Sequence, residues 1–261
     1  AALALGYSAS HAPAPPPGPT AEPLPAAPLA PALPDTPFER GLFYARNKQY
    51  GFAAVEFQRA AHDGQDGRAY GYLTFCLSNG RDPKGAISAA DKAIELGHRT
   101  APVYANRAYN HFQLAHYQET KADCDEALRR DQNLLAARYT RALLRLQMYF
   151  QLRVQKIVAG PIPPEAVADI DAVTEAVSND PDVWVTAAQI YVLAAEGRPE
   201  VLDRAARAVR AAVLAGKSPR LIGRNSVFGP IANHPVYKNA LELPPVPAPP
   251  VANPQIANPI P

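Results

Sequence analysis

The chain has 261 residues, 48% of them hydrophobic and 19% charged, with 29 prolines and a formal net charge of +2. That length fits one or two domains with enough apolar material for a core. It contains no apolar stretch of the ~18 residues that a membrane span needs. It also has no run of like charges or basic block of the kind that nucleic acid requires.

The prolines crowd into residues 12–37 and 244–261. Every Lys and Arg lies between Arg40 and Lys238, so residues 37–240 carry about +5 and the flanks are slightly acidic. The division predicts three parts: a Pro/Ala-rich arm over 1–36, a helical domain over 37–240 and a Pro-rich tail over 241–261. Proline fixes φ and removes a donor, so the two flanks are expected as extended, polyproline-like arms. The opening AALALGYSASHA looks like the end of an apolar targeting region with small residues around Ser10-His11-Ala12. Export to the cell envelope or beyond is the expectation; a trimmed chain would look the same.

From residue 37 onward the chain repeats. Gly41 and Tyr44 open the first unit, and Tyr50, Ala53, Phe57 and Ala60 continue it. Tyr70 and Leu73, then Ala86, Ala90 and Ala93, form the second. Tyr104 and Ala108, then Tyr117, Cys124 and Ala127, form the third. Ala60, Ala93 and Ala127 are spaced by 33 and 34 residues. Ala142 carries the register into a fourth unit, and Trp184, Ala187, Ala188 and Tyr191 carry it into a fifth, after Asp180-Pro181. Small residues at these places let paired helices cross closely, and aromatics fill the gaps between pairs.

This pattern resembles the tetratricopeptide repeat over roughly residues 37–215. The resemblance implies an all-α, right-handed solenoid of about five helical hairpins. The stretch from Ala212 through Phe228 and Ile231 to Tyr237 and Leu241 resembles the closing segment of many bacterial tetratricopeptide arrays. A C-terminal capping helix is expected there, covering the last hairpin.

The fourth unit is irregular. Its first helix runs on through Met148, Tyr149 and Phe150 towards Val158, and Gly160 to Pro164 end it. About 15 extra residues sit here. Such an insertion forms either a small satellite core or a contact surface, of which Met148, Tyr149 and Phe150 are the candidates.

The resemblance also implies a concave groove lined by the first helix of each hairpin. Asn106-Arg107 resembles part of the Asn-Arg clamp that some family members use for a C-terminal carboxylate. Gly71, Phe75, Ala136 and Thr140 stand where the rest of that clamp would be. An aromatic, apolar groove is expected instead, with Phe75, Asn106, Tyr109, Phe112, Tyr139 and Leu143 as its protein-binding residues.

Residues with chemistry are sparse. The six histidines (11, 62, 98, 111, 116 and 234) form no H-E-x-x-H pattern and no Cys/His cluster. Cys76 and Cys124 read as small buried residues too far apart for a bridge. Asp123/Asp125 and Asp169/Asp171 read as solvated helix faces. No catalytic, cofactor or metal site is expected. The expected function is a non-enzymatic protein-binding scaffold, a structural subunit of a larger assembly whose arms contact neighbours, with a homopolymer as one form of that assembly. Its partners are other proteins, copies of itself included. A soluble peptide-binding adaptor is the alternative, and an accessory region of a larger enzyme such as a bacterial kinase is another.

Overall fold

The protein is described by a computed structural model covering residues 33–64, 66–157, 160–176 and 179–244. The remainder of the expected arms, 1–36 and 241–261, lies outside the described residues, so those readings are not addressed by the fold.

Thr36 opens the helical region. Its hydroxyl accepts from the Glu39 amide at 3.2 Å, and Pro37 takes the first helical position. The first pair is α1 (Pro37–Arg46) with α2 (Tyr50–Gly64). Then come α3 (Gly67–Asn79) with α4 (Pro83–Glu95), and α5 (Ala101–Gln113) with α6 (Tyr117–Arg130). The fourth pair is α7 (Leu135–Val154) with α8 (Pro164–Ala176), and the fifth is α9 (Pro181–Ala194) with α10 (Pro199–Leu214). Among the described residues there is no strand. Each helix packs on its hairpin partner and on the next hairpin in line, which is the layout of a stacked α-solenoid.

The five hairpins share one turn. A non-glycine residue with positive φ sits between the two helices of every pair: Lys48 (57°), Arg81 (62°), Ala115 (60°), Lys156 (59°) and Glu196 (46°). In four of them the amide after that residue donates back five residues, as from Gln49 to Tyr44 and from His116 to His111. This bond closes a left-handed helix end and satisfies a carbonyl that would otherwise be orphaned. Proline then stands at the start of helices rather than behind the preceding ones, as Pro37, Pro83, Pro181 and Pro199 show. Its missing N–H costs nothing at that place.

Small residues set the helix crossings. A Cβ on Gly41 would lie 2.7 Å from the Phe57 ring, so glycine is what lets α1 and α2 meet there. Ala53, Ala86, Ala93, Ala108, Ala127 and Ala142 are buried at the repeated small positions. In three hairpins an arginine of the first helix also pairs with an acid of the second. Arg40 donates to Glu56 and Arg107 to Asp123, each 16 residues on; Arg141 donates to Asp169, 28 residues on. The difference of 12 residues measures the insertion of the fourth hairpin, shorter than the 15 expected.

The array is closed at its C-terminal end. Helix α12 (Pro235–Glu242) packs on α10, a 3-10 helix (Ser226–Ile231) packs on α9 and α10, and α11 (Pro219–Gly223) packs on α12. Ile222, Phe228, Ile231, Tyr237 and Ala240 are buried beneath them, continuous with the core of the last two hairpins. The cap ends at Glu242, two residues beyond the expected boundary at 240.

Candidate functional site

The expected groove residues divide into two groups. Phe75, Asn106 and Tyr139 are buried. Phe75 fills the space between the first two hairpins, meeting the Tyr50 ring edge-on at 5.7 Å. Tyr139 reaches across to α9, where its hydroxyl lies 3.4 Å from Thr186 Oγ1; burial pushes its pKa up. These two aromatics therefore cement adjacent hairpins and do not form an open floor. Tyr109, Phe112 and Leu143 are only half-buried and stay partly accessible on α5 and α7.

Arg107 cannot serve a carboxylate clamp. Asp123 holds it by two bonds of 2.8 and 2.7 Å, and Asp91 adds a third at 2.6 Å. Its donors are turned to the chain's own acids. Asp123 and Asp169 are accordingly buried counter-ions, a correction to the reading of both acid pairs as solvated faces. Asp171 is half-buried, accepting from Tyr191 Oη at 2.7 Å and pairing with Arg204. Only Asp125 faces solvent, paired with Lys121. The signal was present in sequence: Arg138, Arg141 and Arg145 recur at helical spacing on α7 and converge on Asp169.

The fourth hairpin builds a concavity beside its extended first helix. Helix α7 has 20 residues, where the other hairpins open with helices of 10 to 14. Its extra turns carry Tyr149 and Phe150 out beside the α9–α10 turn and the 3-10 helix. Between them lies a cleft of about 560 Å³, lined by Tyr149, Phe150, Arg153, Pro161, Leu202 and Pro230 among others. Tyr149 is buried, and its hydroxyl donates to the Gly160 carbonyl at 2.6 Å, pinning the return strand of chain. Phe150 is half-buried against the core and Met148 is 43% exposed. Beyond them Val154 and Ile157 are 83% and 66% exposed, which is far more than the fold requires of apolar side chains. The insertion is thus both a satellite core, through Tyr149, and an open apolar rim. The far wall (Val192, Leu193, Leu202, Val227 and Pro230) comes from elements distant in sequence, and no local pattern marked it.

Cys76 and Cys124 are free and buried, as expected. Burial pushes the Cys76 thiol up to about 12, and raises Cys124 as well. The histidines depart from expectation at one place: His111 and His116 face each other, with their Nδ1 atoms 3.3 Å apart. Among the described residues no group of three or more His, Cys, Asp or Glu side chains comes together as a metal cluster.

Five hairpins, each turned through a positive-φ residue, with small residues at the crossings and a terminal cap, make this an all-α helical-repeat array whose layout resembles that of the tetratricopeptide repeat. No family model matches the chain. A stretch of 65 residues is 32% identical to human sperm-associated antigen 1, covering 25% of this chain and only 7% of that protein's length. Among solved structures the chain is similar to TTC0263, a tetratricopeptide protein of Thermus thermophilus, at 17% identity and a TM-score of 0.49, over 79% of this chain and 98% of that one. YrrB, described as a tetratricopeptide protein with an unusual peptide-binding site, gives 14%, 0.47, 79% and 91%. PilF of Pseudomonas aeruginosa gives 18%, 0.47, 78% and 94%.

Proposed function

We propose that the chain is a non-enzymatic module that holds other proteins, with the cleft beside Tyr149 and Phe150 as its main contact. The observation that carries this is the extension of α7. The extension sets the fourth hairpin apart from the others, and it ends in an apolar cleft lined in part by exposed Val154, with exposed Ile157 three residues further on. Aromatic-lined grooves suit extended proline-rich segments, which lose little entropy on docking. The chain supplies such segments itself at 12–37 and 244–261, free of Lys and Arg. The occupant proposed is therefore the Pro-rich tail of a neighbouring copy, in an assembly of like subunits.

The two ends of the array support that reading. The C-terminal end is capped. At α1, by contrast, Phe43, Tyr44 and Phe52 form a chain of rings 5.6 and 5.5 Å apart, the first two half-buried and Phe52 64% exposed. A second hollow of about 450 Å³ lies there against Leu42, Phe43 and Arg46.

The second reading is a peptide-binding adaptor that uses Tyr109, Phe112 and Leu143 on the concave side. Sedimentation velocity separates the two. Removing residues 1–36 and 245–261 should leave a monomer under the first reading. Under the second it should leave association unchanged, with peptide capture sensitive to Tyr109→Ala.

A further inference from the structure

We propose that Arg153 is the polar specificity residue of the cleft, donating hydrogen bonds to the backbone carbonyls of the proline-rich segment docked there. This role rests on the cleft being the docking site for a neighbouring copy's tail.

Arg153 stands four residues after Tyr149, one turn on along α7, and both line the cleft. Its guanidinium carbon lies 5.8 Å from the centre of the Tyr149 ring, which holds the side chain against the aromatic face. The earlier arginines of α7, Arg138, Arg141 and Arg145, all turn to Asp169. Arg153 makes no ion pair among the described residues, and its one hydrogen bond is a long 3.5 Å contact with Tyr149 Oη. A guanidinium carries five N–H donors, so most of them are open to a ligand.

The acceptors nearby are accounted for. The Gly160 carbonyl already accepts from Tyr149 Oη at 2.6 Å. Glu196, which lines the cleft from the α9–α10 turn, is exposed and makes no ion pair with Arg153.

A proline-rich segment brings what Arg153 can hold. Residues 244–261 contain eight prolines in 18 residues and no charged side chain. Each proline keeps its carbonyl and has no N–H. In the polyproline conformation those carbonyls have no internal partner. Moving them into an apolar cleft costs free energy unless a donor meets them. Arg153 is such a donor, with a planar fork that reaches two oxygens. Preference for proline follows, because an ordinary extended strand also brings N–H groups, and Arg153 can satisfy none of them.

The test uses the whole chain and a labelled peptide of residues 244–261 with both ends capped, so that no terminal charge takes part. Fluorescence anisotropy is expected to show binding that Arg153→Met weakens about tenfold and Arg153→Lys weakens less. Glu196→Gln should leave it unchanged. In the unaltered protein, the Arg153 Nε–H resonance should shift as peptide is added. Binding that Phe150→Asp weakens but Arg153→Met does not, or a resonance that stays put at saturation, would overturn the role of Arg153 and leave the cleft as the docking site. Binding seen only with a free carboxyl end would overturn it too, since Arg153 would then be holding a carboxylate. No binding to the wild type would overturn both the role and the docking.

Discussion

Arg141 grips Asp169 with two parallel hydrogen bonds, 2.8 Å from Nε to Oδ2 and 2.7 Å from Nη2 to Oδ1, and the carboxylate is 1% exposed. Arg145 adds a bond to the same oxygen as Nε, and Arg138 stands 3.7 Å away. One buried charge thus ties the long helix α7 to α8 across the insertion of the fourth hairpin. Removing it leaves three guanidinium groups clustered without a counter-ion. Asp169→Asn is expected to cost about 3 kcal/mol, at the low end for a buried pair because each arginine keeps some solvent contact. The check is a lower midpoint in urea at an unchanged slope. Arg138→Ala, at the longest distance, is expected to cost less than ~1 kcal/mol.

Ala115 occupies a left-handed conformation at φ 60° in the third turn. A Cβ there costs roughly 1 kcal/mol, and glycine avoids that cost while losing part of the gain to backbone entropy. Ala115→Gly is expected to stabilise by about 0.5 kcal/mol. Gly97→Ala, at φ 86°, is expected to do the opposite. Thermal melting of the two variants beside the wild type checks both signs.

The repeat was readable because it rests on single residues with one physical job. Ala60, Ala93 and Ala127 announce a period, and at Ala93 and Ala127, which are fully buried, a larger side chain would keep the hairpins apart. Three things were not readable, for a different reason in each case. The Arg107–Asp123 pair joins helices 16 residues apart, and a single charged residue looks the same in sequence whether it is paired or solvated; only at Asp169 did a row of arginines leave a spacing signal. Phe75 and Tyr139 sit on the first helices of their hairpins, yet their rings turn into the gaps between hairpins, a choice that depends on how neighbouring units stack. His111 and His116 meet only because the turn between them is left-handed.

Asp180 caps helix α9 through Oδ1, which accepts from the amides of Asp182 and Val183. Its Oδ2 is buried without a partner, and burial raises its pKa above 3.8. A carboxylate raised in this way weakens the folded state at neutral pH, where the unfolded chain carries the charge in water. The handicap disappears as pH falls through the raised folded value towards 3.8. Asp180→Asn keeps the cap and drops the charge. It is expected to match or exceed the wild type at pH 7 and to lose that advantage at about pH 4. Asp180→Ala loses the cap and should cost about 1 kcal/mol at either pH.

Both thiols are buried, and burial holds them in the protonated, unreactive form. Neither Cys76 nor Cys124 is expected to react with a thiol reagent such as Ellman's at neutral pH until the chain unfolds. Labelling rates across a urea series should follow the unfolded fraction. Fast reaction of one thiol in native buffer would mark local opening around α3 or α6.

If the cleft made by the α7 extension holds an extended proline-rich segment, a peptide of residues 244–261 must bind a chain ending at Pro244. Fluorescence anisotropy of the labelled peptide, titrated with that chain, measures the binding. Saturable binding is expected, weakened about tenfold or more by Phe150→Asp. Binding that is absent, or equal in wild type and Phe150→Asp, would contradict the assignment of the cleft.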